Sequence, residues 1–277
     1  MEVETVVALV AGYQWRWQEQ PLEVLASEKA FQGQLVNRLT KGVCRVFDIA
    51  GKIDGIVKLE DGRIAVLEHK LQSDDLDPGS DYWRRLQMDL QVSFYVYAAR
   101  SLGFKVDTVL FDVARKPSIK PSAVPLVDED GFKIVLDKDG QRVMTKDGKK
   151  PRESGDTAAG YTLQVRPMAA DEWVDRLLED IGNRPTWYYA RQEVPRLDQD
   201  IDEMRDELWD LQNVLRDAQR NGRWYRTVTR ECPFCPYFSL CTSKYDPQRS
   251  LVPDGFTFIS NKHPELGDID ATNSSPT

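Results

Sequence analysis

The stretch IAVLEHKLQS, residues 64–73, runs four apolar residues straight into Glu68, His69 and Lys70. A β-strand leaving a core for water would read this way, and that is the plain interpretation. A strand also alternates its side chains, so Glu68 and Lys70 point to one face and His69 to the other. What the stretch does depends on what else reaches the face of Glu68.

Asp54 lies upstream, in the run before the turn signal Asp61-Gly62. A two-residue Asp61-Gly62 loop would pair Glu60 with Arg63, and hence Asp54 with His69, on the wrong face. A three-residue loop, Glu60-Asp61-Gly62 with Gly62 left-handed, pairs Leu59 with Arg63 and sets Asp54 opposite Glu68. The three-residue loop, or an equivalent bulge, is the expectation. Two carboxylates converging at a strand end suit a hard cation, which takes oxygen ligands. Mg²⁺ or Mn²⁺ there could polarise a phosphodiester and lower the pKa of an attacking water. Lys70 beside them could orient that water or neutralise charge building on phosphorus. His69 can add its main-chain carbonyl as a further ligand.

This pattern resembles the PD-(D/E)XK nuclease superfamily, and within it the RecB-like exonuclease branch. The motif is an acidic residue, a hairpin and Glu-x-Lys, matched by Asp54 and Glu68-His69-Lys70, with Ile53 in place of the preceding proline. Alone, the spacing is a weak signal that an arbitrary acidic strand would often meet. The helix after the hairpin strengthens it. The branch carries Gln-x-x-x-Tyr there, and Gln91-Val-Ser-Phe-Tyr95 stands in that place. One turn apart, Gln91 and Tyr95 can face the site from one side of a helix; the plainer alternative makes Tyr95 a core aromatic and Gln91 a surface residue. The run from GKIDGIV to VLFDVARKP looks like phage-borne exonucleases of the branch.

Three of the four cysteines, Cys232, Cys235 and Cys241, fall in one C-x2-C-x5-C loop. Thiolates so spaced fold back onto one metal centre, and one cluster reads as a metal site rather than a disulfide framework. The resemblance implies a [4Fe–4S] cluster held by these three and an N-terminal cysteine. Zn²⁺, an incomplete cluster, or cysteines packed without metal are the alternatives. The likeness covers about Glu23 to Tyr245 and departs at the front. The histidines are His69 and His263, so none lies upstream of Asp54, and the one upstream cysteine, Cys44, reads as core. The chain is therefore expected to be a natural short form or to lack an N-terminal segment carrying His and Cys.

Apolar content of 41% with 10% aromatics in 277 residues argues for a folded protein with a sizeable core. A net charge of −8 does not advertise a nucleic-acid binder, yet metal-dependent nucleases concentrate carboxylates at the cation. Basic patches at Arg115–Lys120, Lys146–Arg152 and Arg220–Arg230 are solvated faces or DNA tracks. Without a long apolar run or a leader-like start, no membrane span is expected and the protein is placed in the cytoplasm of a bacterial or phage-infected cell.

The expected organisation begins with a helix to about Gln18, a strand pair over 22–39, and strands around turn signals at Gly51 and Asp61-Gly62. A helix over Tyr82–Leu102 and a strand over 106–117 follow. Asp130-Gly131, Asp139-Gly140 and Asp147-Gly148 mark a peripheral β-hairpin insertion over 118–166. Two helices come next, one placing Trp173, Leu177, Leu178 and Ile181 on a face, the other Ile201, Met204, Leu208, Leu211 and Leu215. The cysteine loop, 228–245, and an extended tail, 246–277, end the chain. The fold class is α/β: a restriction-endonuclease-like core in one domain, 1–245, with a mixed central sheet flanked by helices.

The resemblance implies a metal-dependent DNA exonuclease acting on single-stranded DNA or free ends. Its setting would be recombination, replication or CRISPR-type processing, with a recombination or CRISPR-adaptation protein as partner. The competing expectations are an impaired nuclease fold that only binds DNA or such a partner, and a metal-stapled interaction module.

Overall fold

The computed structural model describes residues 1–224, 226–243 and 251–259, the side chain of Asp107 excepted. The chain runs α1 (Glu2–Trp17), β1 (Glu23–Val36), β2 (Val43–Lys58), β3 (Ile64–Gln72), α2 (Asp81–Leu86), α3 (Leu90–Ser101) and β4 (Val106–Arg115). Four short strands follow, β5 (Val124–Pro125), β6 (Val135–Leu136), β7 (Thr162–Leu163) and β8 (Val165–Arg166). Then come α4 (Ala170–Asn183), α5 (Pro185–Tyr188), β9 (Tyr189–Pro195), α6 (Asp198–Asn221), a 3-10 turn at Cys232–Phe234 and α7 (Phe238–Thr242). The architecture is the expected mixed α/β, with a five-stranded central sheet in the order β1-β2-β3-β4-β9. No described helix is long and apolar enough to cross a membrane.

Two compact units share the chain. One comprises Met1–Pro21, His69–Arg85 and Phe111–Gln192; the other comprises Leu22–Glu68, Leu86–Leu110 and the residues from Glu193 on. Strands β3, β4 and β9 each run through both.

In the first unit α1 packs on α4. Trp173, Leu177 and Ile181 recur every fourth residue, so they line one face of α4 and are fully buried. Each such side chain contributes roughly 1.5–3 kcal/mol by leaving water. They meet Ala8, Leu9 and Trp17 of α1 and Tyr188 and Tyr189 beyond α4. Gly12 is what permits the approach, since a Cβ there would lie 2.6 Å from the Tyr189 hydroxyl. That hydroxyl donates to the Leu9 carbonyl at 2.7 Å. Residues 118–166 belong to this unit: β5 pairs with β8 and β6 with β7, and Gly131, Gly140 and Gly148 all take a positive φ.

In the second unit β1 and β2 form a long antiparallel ladder, with α3 against β2 and α6 against β1. Several expectations change here. Residues 22–39 form no strand pair; β1 is one strand of 14 residues, because Gly33 stays in extended backbone and keeps pairing with Ile49. Gly51 is not a turn residue but lies mid-strand, where a Cβ would come 2.6 Å from the ring of Phe31 paired across from it. That ring packs edge-on against Phe94 of α3.

The helix expected over Tyr82–Leu102 is broken into α2 and α3. Asp89 is extended and caps α3, its carboxylate accepting the Gln91 N–H at 2.8 Å. Arg196, almost wholly buried, donates to the Leu86 and Asp89 carbonyls at 2.6 and 3.2 Å and to the Ser93 hydroxyl at 2.9 Å. Carbonyls that a continuous helix would use are thereby taken.

On α6, Ile201 and Met204 face the core as expected, but Leu211 is exposed and Gln212 is buried in its stead. Gln212 accepts from the Cys44 thiol at 3.5 Å, which ties that turn of the helix to β2. The helix ends at Gly222 in the left-handed conformation, with the Arg223 N–H on the Ala218 carbonyl. The expected tail lies outside the described residues except for 251–259, as do Tyr245 and His263.

Candidate active site

The β2–β3 turn has the three-residue form. The Leu59 N–H donates to the Arg63 carbonyl at 2.8 Å, and the Gly62 N–H to the Leu59 carbonyl at 2.9 Å. Gly62 has φ +86°, a conformation that glycine adopts without a Cβ penalty. Asp61 braces the turn by accepting the Arg63 N–H at 3.0 Å and the Arg63 guanidinium at 2.6 Å. These bonds, the backbone one foremost, hold its carboxyl below the usual aspartate range.

From this turn the ladder counts off Lys58 with Ile64, Val57 with Ala65, Ile56 with Val66 and Gly55 with Leu67. One further step in the same register sets Asp54 opposite Glu68. Alternation then places both carboxylates on the face of Ile56 and Val66, which are fully buried. On the reverse face Gly55 leaves room for Leu67, whose Cβ would lie 3.3 Å from any Cβ added there. Glu68 is 3% exposed, while Asp54 and Lys70 are half-buried. Lys70, two residues beyond Glu68 in β3, shares its face.

The His69 side chain takes the other face and is exposed. Its Nδ1 lies 4.0 Å from Oδ2 of Asp112 on β4, and its ring meets Tyr13 edge-on. Asp112 is the centre of a network that composition and spacing did not suggest. Its Oδ2 accepts the Tyr13 hydroxyl and the Arg191 Nε, the latter at 2.9 Å. Arg191 also donates to the Gln20 carbonyl at 2.9 Å and lies over the Trp17 ring. Burial, with the Asp112 carboxylate second, pushes the Tyr13 hydroxyl up to about 12. The only local signal was an aspartate inside the apolar run VLFDV.

Gln91 and Tyr95 occupy one side of α3, the Gln91 amide donating to the Tyr95 hydroxyl at 2.7 Å. The candidates thus fall into an Asp54–Glu68 pair on the hairpin and a Gln91–Tyr95 pair on the helix. Glu28 was missed. Ser27 pairs with Gly55 and Lys29 with Ile53, so Glu28 lies across from Asp54 on β1. It holds φ +51°, uncommon for any residue but glycine, and its carboxylate pairs with Lys52. Nothing in a glutamate announces that backbone, so no sequence signal could have found it.

Carboxylates such as Asp54 and Glu68 are oxygen donors of the kind that suit Mg²⁺ or Mn²⁺. The cysteine loop fits its implied cluster less well. Cys232 and Cys235 share one tight turn, the Thr229 N–H donates to the Cys232 sulfur at 3.2 Å, and Cys241 is exposed on α7. Among the described residues no three His, Cys, Asp or Glu side chains are gathered so as to hold a metal ion. Cys44 is buried in the core, as expected, and committed to Gln212. The described residues therefore offer three thiols to the loop and not the four that a [4Fe–4S] centre takes.

No curated protein matches the chain. The family model of the PD-(D/E)XK nuclease superfamily matches residues 3–242, from α1 through α7. With the sheet, the hairpin register and a match over most of its length, the chain belongs to the PD-(D/E)XK nuclease superfamily.

Proposed function

We propose that the protein is a Mg²⁺- or Mn²⁺-dependent deoxyribonuclease that degrades DNA from free ends, with Asp54, Glu68 and the His69 main-chain carbonyl as cation ligands. The observation that carries this is the β2–β3 register, which pairs Gly55 with Leu67 and, extended by one step, would set Asp54 opposite Glu68. When bound, the cation supplies Lewis-acid polarisation of the phosphodiester and a lowered pKa for the attacking water. Glu68, nearly out of water, feels little solvent screening, so its charge acts strongly on a neighbouring cation. Lys70 orients the attacking water and offsets charge building on phosphorus from the same face. Gln91 and Tyr95 place the DNA strand or the lysine, each fixing the other's rotamer through their hydrogen bond.

Residues 1–245 act as one nuclease domain in this proposal, since three strands run through both units. A zinc or iron–sulfur centre in the cysteine loop would need a ligand beyond Cys232, Cys235 and Cys241, and metal analysis after anaerobic purification tests for one; no hydrolytic step runs through it. Recombination or CRISPR-type DNA processing in the cytoplasm of a bacterial or phage-infected cell is the proposed setting.

The test is degradation of end-labelled linear DNA and of closed circular DNA by the wild-type chain and Lys70→Ala. Wild type should degrade the linear substrate with Mn²⁺, spare the circle and stop in EDTA. Lys70→Ala should be slower by about 10²–10³, the usual loss for one electrostatic group at a transition state. Equal rates in the two proteins would remove the catalytic assignment.

A further inference from the structure

We infer that the described residues from Arg220, in the last turn of α6, to Tyr237 form a binding platform for single-stranded DNA that works by base stacking. The inference rests on the nuclease proposal for the choice of DNA, but not on Asp54, Glu68 or Lys70. Between Arg220 and Arg230 the chain carries four arginines and no acidic residue, against a net charge of −8 for the whole protein. Gly222 ends the helix, and the described residues from Arg223 to Thr229 form neither helix nor strand. Arg223, Trp224, Arg226 and Arg230 are all exposed.

This basic segment is tied to the aromatic turn that follows. The Cys232 N–H donates to the Thr229 carbonyl at 3.3 Å, and the Thr229 N–H to the Cys232 sulfur at 3.2 Å. Phe234 hangs from that turn, its N–H on the Glu231 carbonyl at 2.9 Å. Trp224 is 57%, Phe234 88% and Tyr237 57% exposed. A merely solvated face would keep the arginines and dispense with large rings. An apolar partner would use the rings and leave the arginines idle, and duplex DNA would take the arginines on its phosphates with its bases stacked out of reach. Single-stranded DNA uses both, since phosphates want the cations and every base has a face to stack.

The experiment is fluorescence anisotropy of labelled oligo(dT), and of a duplex of the same length, titrated with the full chain in EDTA so that nothing is cut. Wild type should bind the single strand more tightly than the duplex. Trp224→Ala should weaken single-strand binding by roughly fivefold to 150-fold, the range for losing one stacked base, and Trp224→Phe should restore most of it. Arg223→Gln combined with Arg226→Gln should lower the slope of log affinity against log salt by about 1.4, or ~0.7 per phosphate contact. Cleavage lost in a variant that keeps wild-type oligo(dT) affinity concerns the active site alone. Unchanged affinity in Trp224→Ala, or a duplex bound as tightly as the single strand, would overturn the inference. So would a Trp224→Ala variant that alters self-association in sedimentation while oligo(dT) affinity stays the same.

Discussion

Leu59 and Arg63 face each other across the β2–β3 turn, the N–H of the first on the carbonyl of the second at 2.8 Å. Everything proposed for the hairpin depends on that bond, because it counts the strands into the register that, extended by one step, would set Asp54 opposite Glu68. Deleting Lys58, inside β2, with the turn kept would shift Asp54 by one residue, opposite Leu67 and onto the other face. Cleavage should be abolished, and urea unfolding should show a lower midpoint. Gly62→Ala is the milder probe. Nothing lies near enough to clash with its methyl, so the positive φ alone sets the cost, about 1 kcal/mol, with cleavage retained.

Glu28 holds a left-handed backbone beside Asp54. Glu28→Gly should raise stability by up to about 1 kcal/mol, as the backbone penalty of a Cβ exceeds a mostly exposed pair with Lys52. A drop in the urea midpoint would show that the carboxylate matters more than the strain.

Asp112 carries the first unit's buried charge network. Asp112→Ala leaves the Arg191 guanidinium without its carboxylate and should cost about 3–5 kcal/mol in chemical denaturation.

Alkali acts on the same network. Tyr13 keeps its proton in the folded state up to about 12, whereas an unfolded tyrosine ionises near its ordinary value of 10. Its contribution is therefore complete below pH 10 and is lost as pH rises from 10 through about 12. Burial raises Tyr188 and Tyr189 as well, in the same sense. Stability measured by urea unfolding should fall over this window, and Tyr13→Phe should fall less steeply than wild type.

Arg196→Met would leave the Ser93 hydroxyl and the Leu86 and Asp89 carbonyls without their buried donor. A loss of about 1–3 kcal/mol is expected. Hydrogen exchange should quicken at the start of α3, where Gln91 sits, while the β2–β3 ladder keeps its protection.

The hairpin was legible in the sequence because its determinants are local: a glycine in a turn, alternation along a strand, and a loop length that two neighbours settle. The α4 face was legible for the same reason, since Trp173, Leu177 and Ile181 repeat at helical spacing. The break between α2 and α3 was not. Its apolar periodicity continues across Asp89, and the residue that enforces the break, Arg196, arrives from more than a hundred positions downstream. Gly51 misled because a glycine can mark a turn or a gap, and only the pairing with Phe31 decides which. Leu211 misled because a hydrogen bond from Cys44 buries Gln212 in its stead. Tyr13, Asp112 and Arg191 come together only through the fold.

The most direct test of the shared carboxylate face is calorimetric titration of Mn²⁺ into the wild-type chain, Asp54→Asn, Glu68→Gln and the double variant, without DNA. One ion held by both side chains predicts that each single variant weakens the same site by about tenfold or more, the scale of 1.4 kcal/mol per decade. The double variant should then be little worse than either single one. Unchanged Mn²⁺ affinity in both single variants, or losses of two separate ions, would contradict it.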